Sequence, residues 1–222
     1  MHDTPGIDRI AELFDPARVF PATYPELDHY GVRAAVRYYG TADERGHGAE
    51  PRWPRGRGER VFVYMHPNYP QFATTVRQLA ASGWPTVVVA PGIGAARAAR
   101  LSGDTLRVQA AHVDIDLALQ GCRLIVCHGG HGTVTRVLRH GIAPIVVPHF
   151  VEQTLSAWRL GRQGLAFAAH PDPRRLDYPT MLRAALDGEI QQRAAAAFAQ
   201  KHPLEGSAGA MRAMADGMLA LV

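Results

Sequence analysis

The 222-residue chain has only two cysteines, Cys122 and Cys127, and both flank a predicted buried strand. A disulfide framework is thereby excluded, and nothing points to an oxidising compartment. Long apolar runs are also missing, and the opening MHDTPGIDRIAELFD has neither a basic stretch nor an apolar core. The expectation is therefore no signal peptide, no transmembrane helix and a cytoplasmic location. Charge of one sign is scarce, with a formal net charge of +4. The densest basic stretch, Arg52, Arg55, Arg57 and Arg60 in PRWPRGRGER, lies among prolines and glycines and is read as a solvated linker, not a nucleic-acid arm. The eleven histidines are scattered, with no pair at the spacing of a known ligand box, so neither a metal nor another cofactor is expected. No internal repeat is visible.

What is present is an ordinary globular composition, 47% apolar and 20% charged, in a chain long enough to bury a core without staples. Residues 41–60 are crowded with Gly, Pro and charge and mark a boundary. Beyond them, short apolar runs alternate with helical patterns, the signature of parallel βαβ units. Strands are predicted at 61–65, 85–90, 106–110, 123–127 and 143–148, and helices at 70–81, 114–121, 133–140, 152–164, 178–187, 190–201 and 208–221. Gly141 and Gly164 are expected to stop two of the helices. The fold class is α/β, a Rossmann-like open parallel sheet with helices on both faces. Residues 1–40 hold an amphipathic IDRIAELF and an aromatic-rich YPELDHYGVRAAVRYYG, too little for an independent domain. The spacing of Met211, Met214, Met218 and Leu221 in the last helix predicts core packing.

The most informative stretch is CHGGHGT, residues 127–133, where a buried strand hands over to a helix. Open α/β sheets hold ligands at such places. Gly129, Gly130 and Gly132 let the backbone turn tightly and let an anion approach, and the following helix adds unpaired N–H groups and the positive end of its dipole. Thr133 can add a hydroxyl, and His128 an imidazole N–H, toward a diphosphate; His131 lies in the same turn. Taken alone, these residues also fit a tight turn with two polar loop histidines. The loop lacks the lysine of a Walker motif and does not spell G-x-G-x-x-G. The second glycine pair, Gly92 and Gly94 in PGIGAAR, has Arg97 where a dinucleotide fingerprint wants its third glycine, and is read as an ordinary turn.

The longer run CHGGHGTVTRVLRHGIAPIVVPHFVEQTLSAWRLGRQGLA, residues 127–166, resembles the donor-binding signature of GT-B fold glycosyltransferases of the UDP-glycosyltransferase superfamily, including the bacterial antibiotic and macrolide enzymes. That signature runs His-(Gly/Cys)-Gly-x-(Gly/Asn)-(Ser/Thr), a helix, Gly-x-Pro, an apolar strand, Pro and an acidic-Gln pair, and this chain keeps the parts in order. The resemblance implies the C-terminal half of a GT-B fold, with residues 59–222 as a nucleotide-sugar donor-binding domain and residues 1–58 as the remnant of an acceptor domain and the interdomain linker. It places His128, Gly129, Gly130, His131, Gly132 and Thr133 on the diphosphate, and Glu152 and Gln153 on donor-sugar hydroxyls. Without the motif, Glu152 and Gln153 fit the start of a helix equally well. The nucleoside stretch departs from the family pattern, having no Trp and no Pro-Gln. His112, Val113 and Asp114 are its candidates there, while Asp114 fits a helix cap equally.

The implied activity is transfer of a hexose from a nucleotide-diphosphate sugar, UDP- or TDP-linked, to an acceptor hydroxyl. A catalytic base would lie on an acceptor domain outside this chain, provided as a separate subunit or as part of a longer enzyme; His131 and His149 follow from no motif as substitutes. The resemblance also implies that the helix at 208–221 packs on the absent half, so that its methionines are partly exposed in this chain or covered by a partner; a homo-oligomer is a further partner expectation. A non-catalytic nucleotide-sugar-binding or scaffold module stays open as the alternative.

Overall fold

The computed structural model describes residues 19–42, 48–204 and 207–220. IDRIAELF lies outside the described residues, as does Leu221 of the methionine stripe. The chain divides into two compact units, Met1–Asp43 with Gly206–Val222, and Glu44–Glu205.

The larger unit is built on six strands: β1 (Val61–Tyr64), β2 (Thr86–Val89), β3 (Leu106–Gln109), β4 (Leu124–Cys127), β5 (Ile145–Val146) and β6 (Phe167–Ala168). All pair in parallel, in the order β3-β2-β1-β4-β5-β6. Strands buried on both faces need apolar residues at successive positions, and VFVY, TVVV and LIVC supply them. Alternate side chains, among them Val61, Val63, Val88, Val108, Leu124, Val126 and Ile145, form one core with Phe72, Val76, Leu79 and Leu182. These come from α1 (Phe72–Ala81) and α6 (Tyr178–Asp187). The intervening Phe62, Val87, Ile125 and Val146 are equally buried on the opposite face. Outside that core, α4 (His131–Arg139) packs on β4, α5 (Val151–Arg162) on β6 and α7 (Glu189–Lys201) on α4, with α3 (Ile115–Gly121) between β3 and β4 in the chain.

The helix ends follow local chemistry. Asp114 caps α3, its Oδ1 accepting from the Asp116 and Leu117 amides, and Asp177 caps α6. Gly141 and Gly164 follow α4 and α5 with φ of +74° and +69°, a region open to glycine. Two elements were not expected. The glycine pair makes the expected turn, with Gly92 at φ +85°, and the helix that follows it, α2 (Ala95–Leu101), went unseen because AARAARL is too rich in alanine to show an apolar stripe yet has high intrinsic helix propensity. Strand β6 is two residues long, below the length at which alternation can be seen.

The boundary segment is anchored although its arginines 52, 55, 57 and 60 are exposed. Ala49 bridges to Val113, the Arg52 amide donates to Gln109 Oε1 at 2.7 Å, and the Arg60 guanidinium lies 5.3 Å over the Trp53 ring. These contacts place residues 48–60 with the sheet, and the compact units divide at 43/44 and 205/206.

In the smaller unit a buried Asp28 carboxylate accepts from the Tyr38 hydroxyl and the Tyr30 amide and pairs with Arg33, which organises the aromatic-rich segment. Helix α8 (Ser207–Leu219) belongs to the same unit, and at Gly217 a β-carbon would stand 2.8 Å from Tyr39 Oη. Met211 and Met218 are exposed and Met214 half-buried, so the stripe does not make the fully buried core its spacing suggested. A helix of alanine, glycine and methionine can follow helical spacing without covering its apolar face.

Helix α4 is held from two sides. Arg136 donates to Asp116 through Nε, at 2.6 Å, and through Nη2, and His140 Nε2 lies 3.0 Å from the same carboxylate. On the other side, Arg139 donates to the carbonyls of His202 and Pro203 at the end of α7. The Arg136 hydrogen bonds, against a smaller opposing effect of burial, hold the Asp116 carboxyl down to about 2. Its contribution is therefore present above the unfolded-state value and is lost as pH falls toward about 2. Asp116→Ala should cost about 1 kcal/mol in urea denaturation at neutral pH, since the pair is partly solvent-exposed, and the difference from wild type should shrink in acid.

Candidate functional site

The strand order reverses beside β1: the chain passes from β1 outward through β2 to β3, then returns to β4 on the other side. Loops leaving the carboxyl ends of β1 and β4 consequently part and leave a crevice, the place where open α/β sheets bind ligands. A cavity of about 600 Å³ occupies it, lined by Tyr64, His66, Asn68, Pro91, His112, Cys127, His128, Gly130, Thr133, His149, Phe150 and Gln153.

Five residues expected from the sequence meet here: His112, His128, Gly130, Thr133 and Gln153. Gly129 is required by backbone geometry. It has φ +87°, and a β-carbon on it would stand 2.6 Å from Val146 Cγ1. At Gly130 and Gly132 a β-carbon would meet nothing within 4 Å, so these two keep space open beside the first turn of α4. Gly130 is the N-cap and has no side chain with which to occupy the helix amides. His131 and Gly132 are exposed and lie outside the lining.

His128 has both ring nitrogens engaged. Nδ1 is 2.9 Å from the Val147 carbonyl, and Nε2 accepts the His66 amide at 2.9 Å. Its ring also packs against Tyr69 and His149, with centroids 5.1 and 5.6 Å away. Burial, reinforced by the neighbouring His149 and His66 and opposed by the Val147 bond, pushes its pKa below the ordinary histidine value. With Nε2 accepting an amide, the ring held in this geometry is the neutral one. Its assignment as an N–H donor to a diphosphate thus needs a rearrangement, because an isolated loop histidine shows no partner in sequence.

The acidic-Gln pair divides. Gln153 lines the cavity, and its Oε1 accepts the amides of His149 and Phe150, which leaves its NH₂ as the group able to donate to a ligand. Glu152 is exposed in the first turn of α5 and does not line the cavity. At the nucleoside stretch, His112 lines the cavity with Nδ1 3.5 Å from the Tyr64 hydroxyl. Val113 is buried and pairs with Ala49, and the Asp114 carboxylate is spent on the α3 cap. Tyr64, His66, Asn68, Pro91 and Phe150 were not foreseen as lining residues. The order of strands puts the β1 loop beside the β4 loop, and no motif in 64–68 signals it. Cys127 also lines the cavity, but burial pushes its thiol up to about 11 and that of Cys122 to about 12, so neither is a thiolate nucleophile at neutral pH. Among the described residues no group of side chains could hold a metal ion, and no helix is long and apolar enough to cross a membrane.

A six-stranded, all-parallel, Rossmann-like sheet with a glycine-rich turn at its point of reversal has the architecture of the C-terminal half of a GT-B glycosyltransferase. The model of the family described as erythromycin biosynthesis protein CIII-like, C-terminal domain, matches residues 80–210, and the chain belongs to this family. Solved structures of similar fold include the calicheamicin glycosyltransferase CalG4, at 20% identity and TM-score 0.64 over 85% of this chain and 48% of that one. Another is SnogD from Streptomyces nogalater, at 20% identity and TM-score 0.63 over 91% and 56%. A third is the spinosyn rhamnosyltransferase SpnG complexed with thymidine diphosphate, at 24% identity and TM-score 0.58 over 78% and 50%. The chain spans about half the length of these proteins. No curated protein matches it in sequence.

The glycines separate fold from binding. Gly129→Ala should destabilise the domain by about 2–4 kcal/mol through backbone strain and the clash with Val146. Gly130→Ala, at φ −58° and facing open space, should change stability by less than about 0.5 kcal/mol. Urea denaturation of the two variants checks both.

Proposed function

We propose that the cavity binds the nucleotide-diphosphate moiety of a sugar donor, UDP- or TDP-linked, and that the chain is the donor-binding part of a hexosyltransferase. The observation that carries this reading is the opening of the cavity onto the uncapped first turn of α4, with Gly130 and Thr133 in its wall. Amides at a helix N-terminus with the positive end of the dipole suit a diphosphate. In a transfer reaction they would stabilise the charge developing on the departing nucleoside diphosphate, and fixed dipoles aimed at developing charge are the main means by which such a site lowers a barrier. The thymidine diphosphate named with SpnG accords with this choice of ligand.

His112 and Tyr64 lie on the β1–β3 side of the lining and suit the nucleoside, whose ring can stack on an imidazole or phenol face. Gln153, at the start of α5, suits the sugar hydroxyls through its NH₂, and Glu152 beside it would reach them only from outside the present lining. The base that deprotonates the acceptor hydroxyl is assigned, as the family resemblance implies, to an acceptor-binding domain beyond this chain. Transfer therefore requires that second domain, as another subunit or as part of a longer polypeptide.

Titration calorimetry with UDP, UDP-glucose, TDP-glucose and NAD tests the reading. Binding of one of the diphosphate nucleotides but not NAD supports it. His128→Ala should weaken that binding by about 1.5–3 kcal/mol, the scale of a charged hydrogen bond. Glu152→Ala should spare the free nucleotide and weaken only its sugar conjugate; equal losses for both would remove Glu152 from the sugar site.

A further inference from the structure

The lining of the cavity contains four imidazoles, His66, His112, His128 and His149, and no carboxylate, lysine or arginine among the described residues. Among these lining residues, histidine is the only type whose side chain can become a cation. A sugar nucleotide brings negative charge on each phosphoryl group, and no fixed cation stands in the wall to meet it.

His128 is the imidazole whose bonding defines its state. The Val147 carbonyl can only accept, so Nδ1 carries the proton; the His66 amide can only donate, so Nε2 is a bare acceptor. A phosphoryl oxygen accepts hydrogen bonds and donates none, and so cannot replace the His66 amide at Nε2 while the ring is neutral. The surrounding groups do not charge it beforehand. From the β1 loop, His66 accepts the Asn68 amide at its own Nδ1, 3.2 Å away. Tyr69, just before α1, and His149, before α5, present ring faces and edges, with centroids 5.1 and 5.6 Å from that of His128. His112 stands by Tyr64, and the Cys127 thiol of β4 is kept protonated by burial.

We propose that an anionic diphosphate enters this cavity together with a proton: His128 Nε2 releases the His66 amide, takes up and keeps a proton, and through that N–H donates a hydrogen bond to a phosphoryl oxygen. The freed His66 amide then becomes a second donor to the same anion, so one local exchange converts a closed, neutral contact between the β1 and β4 loops into two donors. The inference rests on reading the cavity as a sugar-nucleotide site. The sign of the linkage is fixed. A ring that is neutral when free and protonated when bound makes affinity rise as pH falls, by at most about tenfold per pH unit for one proton, levelling off below the free-state pKa.

The test is calorimetry with UDP-glucose and TDP-glucose, whose diphosphate diesters keep a constant charge over the neutral range. Titrations at about pH 7.5 in two buffers of different ionisation heat count the protons exchanged. The expected result is uptake of between about half and one proton per sugar nucleotide bound, absent in His128→Gln. Binding without proton uptake overturns this proposal and leaves the donor site standing. Uptake that persists in His128→Gln assigns the proton elsewhere and also overturns it. No binding of either sugar nucleotide between about pH 6 and about pH 8 sinks both readings. On the intact chain, imidazole ¹⁵N spectra give a measurement that does not depend on the variant folding. Nε2 of His128 should be unprotonated when free and protonated in the UDP-glucose complex, and an unchanged Nε2 in that complex would defeat the proposal.

Discussion

Pairing of β1 with β4 is the contact on which the site depends. It joins strands separated by two βα units, residue against residue from Val61–Leu124 to Tyr64–Cys127, and so brings the ends of both strands to the same level. Because β2 and β3 extend to one side and β5 and β6 to the other, the loops that leave β1 and β4 have no strand between them and part into a crevice. The amide of His66 and the ring of His128, one on each of these loops, are in hydrogen-bond contact across it. A parallel pair has no hairpin to set its register, which instead comes from apolar side chains buried on both faces.

Precision at the crevice comes from how α4 is anchored. Its first turn stands at the end of β4 with no side chain capping it, and a short helix with a glycine N-cap would not hold that position by itself. Asp116 grips Arg136 and His140 from α3, while Arg139 reaches the last carbonyls of α7. Gly129 then makes a left-handed turn against Val146, tying the approach to α4 to the neighbouring strand. The glycines of one motif thus do different work: Gly129 is needed by the fold, whereas Gly130 and Gly132 leave room where a ligand would approach.

A cavity walled by histidine, tyrosine and asparagine, with no fixed charge among its described lining residues, differs from an anion site built on arginine or lysine. On the donor-site reading proposed above, anion binding would rest on backbone amides, whose direction the helix sets, and on imidazole N–H groups.

The alternation of apolar runs with helical periodicity was enough to assign the parallel α/β class, the long strands and the helices that end at Gly141 and Gly164, because burial on both faces and the left-handed turn each demand particular residues locally. The glycine-rich turn was visible for the same reason. Helix α2 and strand β6 were not, since alanine carries no apolar stripe and two residues carry no period. Nor were the bonding state of His128, the spending of Asp114 on a cap, or the entry of Tyr64, His66 and Asn68 into the cavity wall. Each of these depends on which residue stands opposite across some sixty positions of chain or on which local role wins a shared side chain. Sequence by itself determined the elements and the turn that can face an anion; only the tertiary structure decided which side chains surround that turn, because strand order, and not distance along the chain, makes neighbours of β1 and β4.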